Sequence, residues 1–193
     1  MASLGDGVTD LAVGDRVMCT GNGAYAEYAI THSARAWKVP GNNMSLEQAA
    51  TLPVSLQTMH NAIVTAGRME REDAVLIQGA SSGVGILGMQ IAKYMGARLV
   101  IGTSTHDGRR AKLTEYGADI ALDSKSPDWA DKVLEATDGK GVDLIVDQVS
   151  GGVMNNNLRA TRILGRIVNV GRLGGFTGEL DFDLHAARRI DYI

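Results

Sequence analysis

Between residues 74 and 85 the chain reads Ala-Val-Leu-Ile-Gln and then, without a break, Gly79-Ala80-Ser81-Ser82-Gly83-Val84-Gly85. A short apolar strand that meets a cluster of glycines and serines and then enters a helical pattern has few structural solutions. Small residues let the backbone turn sharply from strand to helix and let it approach a ligand with no side chain in the way. The free N–H groups and the dipole of the helix start then face an anion, and a pyrophosphate suits them. The spacing is a variant of the dinucleotide fingerprint: Ala80 and Ser82 take the places of its first two glycines and Gly85 takes the third. Gly88, one turn on, allows close helix–strand packing. The alternative is a glycine-bearing strand–helix turn with no ligand, and the good strand, good helix and further βα units around it favour the dinucleotide.

Those further units follow in order. A helix over about 84–95 closes at Gly96, and residues 99–101 form a second strand. A helix over 107–116 ends at Gly117, and a third strand covers 120–122. Asp128 caps a helix running to about Thr137, strand four covers 142–146, and a helix near 154–161 leads to strand five at 166–170. Short apolar strands alternating with helices specify an α/β, doubly wound parallel sheet (a Rossmann fold), covered on both faces. The first forty residues read differently, as short strands and turns. Residues 16–19, 24–30 and 36–39 are β-type, with a turn at Gly21-Asn22-Gly23 and a stop at Pro40. Ser45 and Gln48 have capping-box spacing. Apolar residues from Leu56 to Val64 fall at helical intervals, and Gly67 ends that helix. No internal repeat is visible.

The end of strand two selects the nucleotide. NAD binders place Asp or Glu about 20 residues past the glycines, where it meets the ribose 2′-hydroxyl. Ser104 stands there, and Arg109 and Arg110 follow. A carboxylate repels a 2′-phosphate, whereas Ser donates a hydrogen bond to it and Arg clamps it with a fork of donors. NADPH is therefore expected over NADH, although two arginines on a solvated helix face would look the same.

Composition narrows the class. The 193 residues carry a formal net charge of −3, so no electrostatic argument favours nucleic acid or an anionic membrane. The single cysteine, Cys19, excludes an internal disulfide and fits a reducing compartment. One Cys and four scattered His argue against a multi-ligand zinc site. No apolar run reaches the ~18 residues of a membrane span, and the first ten residues have neither the basic region nor the apolar core of a signal peptide. The expected compartment is the cytoplasm.

The chain resembles the zinc-free, quinone oxidoreductase-like branch of the medium-chain dehydrogenase/reductase superfamily, the zinc-binding dehydrogenase family in its wider sense. Gly14-Asp15-Arg16-Val17 and Gly23-Ala24-Tyr25-Ala26-Glu27-Tyr28 resemble the last part of that family's GroES-like substrate barrel. Ala49-Ala50-Thr51-Leu52-Pro53 and Thr58 resemble the crossing segment, and residues 79–85 its phosphate loop. Gly117-Ala118-Asp119, Gly141-Val142-Asp143 with Asp147, and Gly165-Arg166-Ile167-Val168 with Gly171 follow in family order. The resemblance implies a partial GroES-like segment over 1–50 and a Rossmann domain over 51–193, truncated at its C-terminus. It also implies that the chain is a cofactor-binding fragment, inactive alone, of an enzyme that is a homodimer when full length. Departures accompany it. The structural-zinc cysteines have no counterpart between Val17 and Tyr25, no Cys near Val54 supplies a catalytic zinc, and Ser124-Lys125 stands where a tyrosine usually lies near the nucleotide phosphate.

The implied activity is zinc-independent hydride transfer from NADPH to a small-molecule quinone or enone. The implied cofactor residues are Thr58, the loop from Ala80 through Ser81, Ser82, Gly83 and Val84 to Gly85, then Ser104, Arg109 and Arg110. Gln148, Val149, Gly171, Arg172 and Leu173 are expected along the nicotinamide. His60 and Tyr25 are the conceivable proton donors, but His60 reads as structural, and Tyr25 and Tyr28 read first as strand packing residues. A non-catalytic NADPH-binding or sensor protein would use the same pocket, and a methyltransferase shares the early layout but needs an acid where Ser104 stands.

Overall fold

The structure, a computed structural model, describes residues 1–41 and 43–193. It contains two compact units, Met1–Gln57 and Thr58–Ile193.

In Met1–Gln57, β1 (Val17–Cys19) pairs antiparallel with β2 (Ala36–Lys38), with Val17 opposite Lys38. α1 (Leu46–Ala50) opens with the expected capping box: Gln48 N–H donates to Ser45 Oγ (3.1 Å), and Ser45 N–H donates to Gln48 Oε1 (3.0 Å). The strand expected over 24–30 does not form, and the side-chain expectation for it is corrected with it. Tyr25, Tyr28 and Ile30 are 109%, 78% and 96% exposed. A strand needs a ladder partner for its backbone and a covered face for its side chains, and the sheet of this unit has two strands, both used on each other.

α2 (Leu52–His60) continues into a wider π turn at Asn61–Ala66. Gly67 closes it, with its N–H on Ala62 O at 2.9 Å, but its φ is −70°. The left-handed residue that leads the chain away is Arg68, at φ 46°. Glycine is needed at position 67 for space, because a Cβ there would lie 2.4 Å from Ala62 O.

The Thr58–Ile193 unit is built on six parallel strands. They are β3 (Ala74–Ile77), β4 (Leu99–Ser104), β5 (Ile120–Asp123), β6 (Val142–Asp147), β7 (Thr161–Asn169) and β8 (Asp191–Tyr192). Their spatial order is β5-β4-β3-β6-β7-β8, the doubly wound arrangement. Every β3 residue is buried. Val75 and Ile77 pack with Met59, Met89 and Val146 on one face, while Ala74 and Leu76 pack with Trp129, Ile145 and Leu158 on the other. A central strand covered twice has no solvent face, which is why its sequence is continuously apolar and not alternating.

α3 (Gly83–Tyr94), α4 (Asp107–Arg110), α5 (Trp129–Glu135), α6 (Met154–Ala160) and α7 (Phe182–Arg188) cover the sheet. The helix expected over 107–116 is two pieces, α4 and a 3₁₀ turn at Leu113–Tyr116, with Gly108 weakening its first turn. Asp128 stands before α5 without capping it; its carboxylate binds Ser126 and Lys132 instead. β7 begins five residues before the expected start, with a register shift against β6 between Val142 and Leu144. Sequence reasoning missed α7, where Asp181 Oδ1 accepts Leu184 N–H at 2.9 Å. Arg166 is buried on Asp73 at 2.8 Å and also donates to Arg68 O at 2.6 Å.

Candidate functional site: a cleft at the sheet switch point

From β3 the strand order runs one way to β4 and β5 and the other way to β6, β7 and β8. The crevice at the carboxyl ends of β3 and β6 is where an open α/β sheet takes its ligand. The glycine turn leaves β3 into this crevice. Gly79 has φ +69°, and a Cβ built on it would lie 3.6 Å from Gln148 Cβ and from Val149 Cγ2, and 3.8 Å from Leu173 Cδ1. The loops after β3, β6 and β7 thus converge on one point. Gly85 is held against the turn so tightly that a Cβ would come within 2.6 Å of Ala80 Cα. Above Gly83 there is open space, with nothing within 4 Å of a built Cβ.

Ser82 caps α3, as its Oγ accepts Gly85 N–H at 3.0 Å. The same hydroxyl donates to Gln148 Oε1 at 3.0 Å, and Gln148 Nε2 donates to Gln78 O at 3.0 Å. Among the described residues the N–H groups of Gly83 and Val84 have no partner. Two aligned free donors at the start of a twelve-residue helix, beside an uncovered glycine, form an anion cradle.

Behind the cradle runs a buried polar chain that the sequence did not disclose. Gly79 N–H donates to Thr103 Oγ1 (3.1 Å), which donates to Gln78 Oε1 (2.6 Å). Gln78 Nε2 donates to Asn157 Oδ1 (2.9 Å), and Asn157 Nδ2 donates to Asp147 Oδ2 (2.9 Å). Asp147 Oδ1 takes the N–H groups of Val149 (2.7 Å) and Ser150 (2.9 Å). A carboxylate only accepts, so Asp147 sets the direction of every amide in the chain. Burial pushes the Asp147 carboxyl above its ordinary value, against the lowering pull of the Ser150 and Val149 amides and of Asn157. The chain ties the glycine turn to the loop after β6. Its only trace in the sequence is polar residues, Gln78 and Asp147, at the ends of apolar strands.

The other expected residues divide. Ser104 ends β4 and is 3% exposed, and its Oγ lies 2.9 Å from Ser81 Oγ, so the two hydroxyls stand together at the edge of the turn. Arg110 is already engaged: it pairs with Asp107 at 2.6 Å and Asp123 at 3.4 Å and reaches Ser104 O at 3.3 Å. Arg109 makes no ion pair among the described residues. The two arginines are therefore not equivalent. Gly171 lies against Gln148, where a Cβ would be 2.8 Å from Gln148 O, while Arg172 and Leu173 are exposed. Thr58 is half-buried on α2. Its neighbour Met59 meets Gly88, whose Cβ would lie 2.9 Å from Met59 Sδ, so Gly88 serves contact with a helix and not with a strand. His60 is exposed. Among the described residues no three His, Cys, Asp or Glu side chains are grouped to hold a metal ion, and no helix is long and apolar enough to cross a membrane.

A family model described as zinc-binding dehydrogenase matches residues 83–190. The chain belongs to this family. Within it the likeness is to the quinone oxidoreductase-like branch of the medium-chain dehydrogenase/reductase superfamily. Quinone oxidoreductase of Rattus norvegicus is 32% identical over 174 residues, covering 89% of this chain and 52% of that protein. Prosolanapyrone synthase of Alternaria solani is 32% identical over 176 residues, covering 90% of this chain and 7% of that protein. A mycobacterial protein solved in complex with NADPH superposes with a TM-score of 0.86 at 29% identity, covering 99% of this chain and 60% of that one. The chain thus spans about half of the rat enzyme and less than a tenth of the synthase.

Proposed function

We propose that this chain is the NADPH-binding part of a zinc-independent oxidoreductase that reduces a quinone or an enone. The observation that carries the reading is the cradle at the switch point: two free helix-start N–H groups over an uncovered Gly83, with the Ser81–Ser104 pair beside it and no acid at the end of β4. The free N–H groups of Gly83 and Val84 would hold the pyrophosphate, and Ser81, Ser104 and Arg109 would hold the 2′-phosphate. Arg110 is a positioning residue, because Asp107 and Asp123 neutralise it and it holds the Ser104 carbonyl. Gln148, Val149, Gly171 and Leu173, on the loops after β6 and β7, would hold the nicotinamide end, with Asp147 fixing the loop after β6. Bound NADPH supplies the hydride; the protein binds it, orients it and excludes water. Zinc-independence is part of this proposal: among the described residues no three His, Cys, Asp or Glu side chains are grouped to hold the ion of the family's name. NADPH bound to the mycobacterial neighbour supports the choice of cofactor.

Titration of the 193-residue chain with NADPH and with NADH, followed by nicotinamide fluorescence, tests the reading. NADPH should bind more tightly than NADH. Arg109→Ala should weaken NADPH about tenfold and leave NADH unchanged, as expected for one charge-assisted contact of about 1.5 kcal/mol. Ser104→Asp should invert the preference. A preference for NADPH over NADH that neither variant changes would sink the 2′-phosphate assignment.

A further inference from the structure

At the amino ends of β6 and β7, away from the glycine turn, three basic side chains from distant parts of the sequence come together. Lys140 lies in the turn between α5 and β6, Arg162 is the second residue of β7, and Arg188 is the last residue of α7. Gly139 and Gly141 have φ of +78° and +87°, and Gly141 N–H donates to Thr137 Oγ1 at 2.9 Å. A Cβ at Gly141 would lie 2.6 Å from Ala160 O and 2.8 Å from Arg162 N, so this turn is pressed against the start of β7. Arg188 Nη1 donates to Thr161 O at 2.7 Å, which brings the end of α7 to the same place. Between them opens a cavity of about 520 Å³, lined by Gly139, Lys140, Arg162, Ile163, Ala187 and Arg188. β6 runs from here to Asp147, about 17 Å at the rise of a strand, so the cavity is separate from the cleft at the carboxyl ends.

The lining carries three cations and no carboxylate. Of the three, Arg162 alone has an acidic partner among the described residues: its Nε meets Asp143 without hydrogen-bond geometry. Asp143 also faces Arg98 at 3.9 Å and accepts Ala74 N–H at 2.7 Å, so one carboxylate is shared by two guanidiniums. Lys140 makes no ion pair among the described residues, and Arg188 spends one of its five donors on a neutral carbonyl. Guanidinium and ammonium groups only donate, and like charges gathered at one place repel, so the lining calls for an anion rich in acceptor oxygens. A carboxylate brings one charge and two oxygens. A phosphate monoester brings nearly two charges and three terminal oxygens, one for each cation. Ile163 is 53% exposed and Ala187 is exposed, so the lining also has an apolar side. The volume exceeds what a phosphate group fills and lies within the range of small-molecule sites, which leaves room beside Ile163 and Ala187 for a carbon body.

We propose that this cavity binds a phosphate monoester of a small organic molecule: Lys140, Arg162 and Arg188 hold the phosphate, and Ile163 and Ala187 cover the organic part. It is a second ligand site, at the opposite end of the strands from the glycine turn, and it does not depend on the cofactor reading above.

Phenyl phosphate is the probe, with inorganic phosphate and phenol as controls for its two halves. Calorimetric titration of the 193-residue chain at low ionic strength should show saturable phenyl phosphate binding, with each control at least about tenfold weaker. Lys140→Ala should weaken phenyl phosphate about threefold to tenfold, the scale of one charge-assisted contact at an exposed site, and Lys140→Glu should abolish its binding over the same concentrations. Lys140 is exposed and its side chain is bonded to no described residue, so both variants should keep the wild-type melting curve. NADPH affinity in Lys140→Glu should match the wild type, which separates a local contact from a change in net charge. Gly83→Ala, which fills the space at the start of α3, should leave phenyl phosphate unchanged. Absence of phenyl phosphate binding, or equal binding by Lys140→Glu, would overturn the site. So would equal weakening of NADPH and phenyl phosphate in that variant, or loss of phenyl phosphate in Gly83→Ala, which would assign the binding to the glycine turn. Inorganic phosphate bound as tightly as phenyl phosphate would overturn the monoester assignment.

Discussion

Two glycines of the turn, two positions apart, should respond to the same substitution with opposite signs in stability. Gly83 is the first residue of α3, with open space where a Cβ would go. Replacing a helical glycine with alanine there reduces unfolded-chain entropy and stabilises by about 0.5–1 kcal/mol. For a chain of this size that is a rise of about 1–4 °C in Tm. Gly85 is different: a Cβ would lie 2.6 Å from Ala80 Cα and 2.7 Å from Gly79 O, both backbone atoms that cannot swing aside. Ordinary carbon contacts need about 3.5–4.0 Å, so α3 must move away from the turn. Overpacking of this kind costs about 1–3 kcal/mol, which outweighs the gain in helix propensity, and Gly85→Ala should melt at lower temperature than the wild type. Both variants should lose NADPH. In Gly83→Ala the new methyl occupies the place of the pyrophosphate, and a clash of about 1–3 kcal/mol is about a 5- to 150-fold rise in Kd. Thermal denaturation and nicotinamide fluorescence on the same preparations check both halves. A Gly83→Ala protein that is more stable and binds NADPH within about twofold of wild type would show that the pyrophosphate does not lie over Gly83, and the cradle argument would fail.

Two further predictions concern buried carboxylates, Asp147 and Asp73. The carboxyl of Asp147 has its pKa raised by burial, so the folded state holds that proton more tightly than the unfolded state. Its contribution to stability is fully present below the ordinary aspartate value of 3.8 and is lost as pH rises through the raised folded pKa. Asp147→Asn should abolish that loss, so the difference in Tm between variant and wild type should move in the variant's favour from about pH 4 upward; a difference that does not change with pH would contradict the assignment. Arg166→Ala leaves Asp73 buried without its 2.8 Å partner and should cost about 3–5 kcal/mol, read as a fall of about 6–20 °C in Tm. A fall of a degree or two would show that the pair is solvated in solution.

Much of this protein follows from local chemistry that any chain obeys. The continuous apolar run at Ala74–Ile77, the glycines and serines after it, and Ser82 three residues before Gly85 specify a strand, a sharp turn and a capped helix wherever they occur. The repeated helix-stop and strand-start signals then require a parallel, doubly wound sheet. The Ser45–Gln48 box formed as spaced, because a cap joins residues three apart and needs nothing beyond them. What failed was whatever depended on a partner distant in sequence. Residues 24–30 have strand propensity, but propensity supplies no ladder, and Tyr25 and Tyr28 stay exposed where no strand pairs with them. Arg109 and Arg110 are indistinguishable as letters. Only the fold brings Asp123 from the end of β5 to Arg110 and leaves Arg109 free of an ion pair among the described residues. The chain from Gly79 to Asp147 joins residues up to 79 positions apart, as in the bond between Gln78 and Asn157. Its members are ordinary polar residues until the strand order places the ends of β3, β4 and β6 side by side, where burial forces each donor to find an acceptor. Sequence spacing determined the turn and its helix because their hydrogen bonds are local, and tertiary structure decided which charges are neutralised and which remain for a ligand because that depends on neighbours across the sheet.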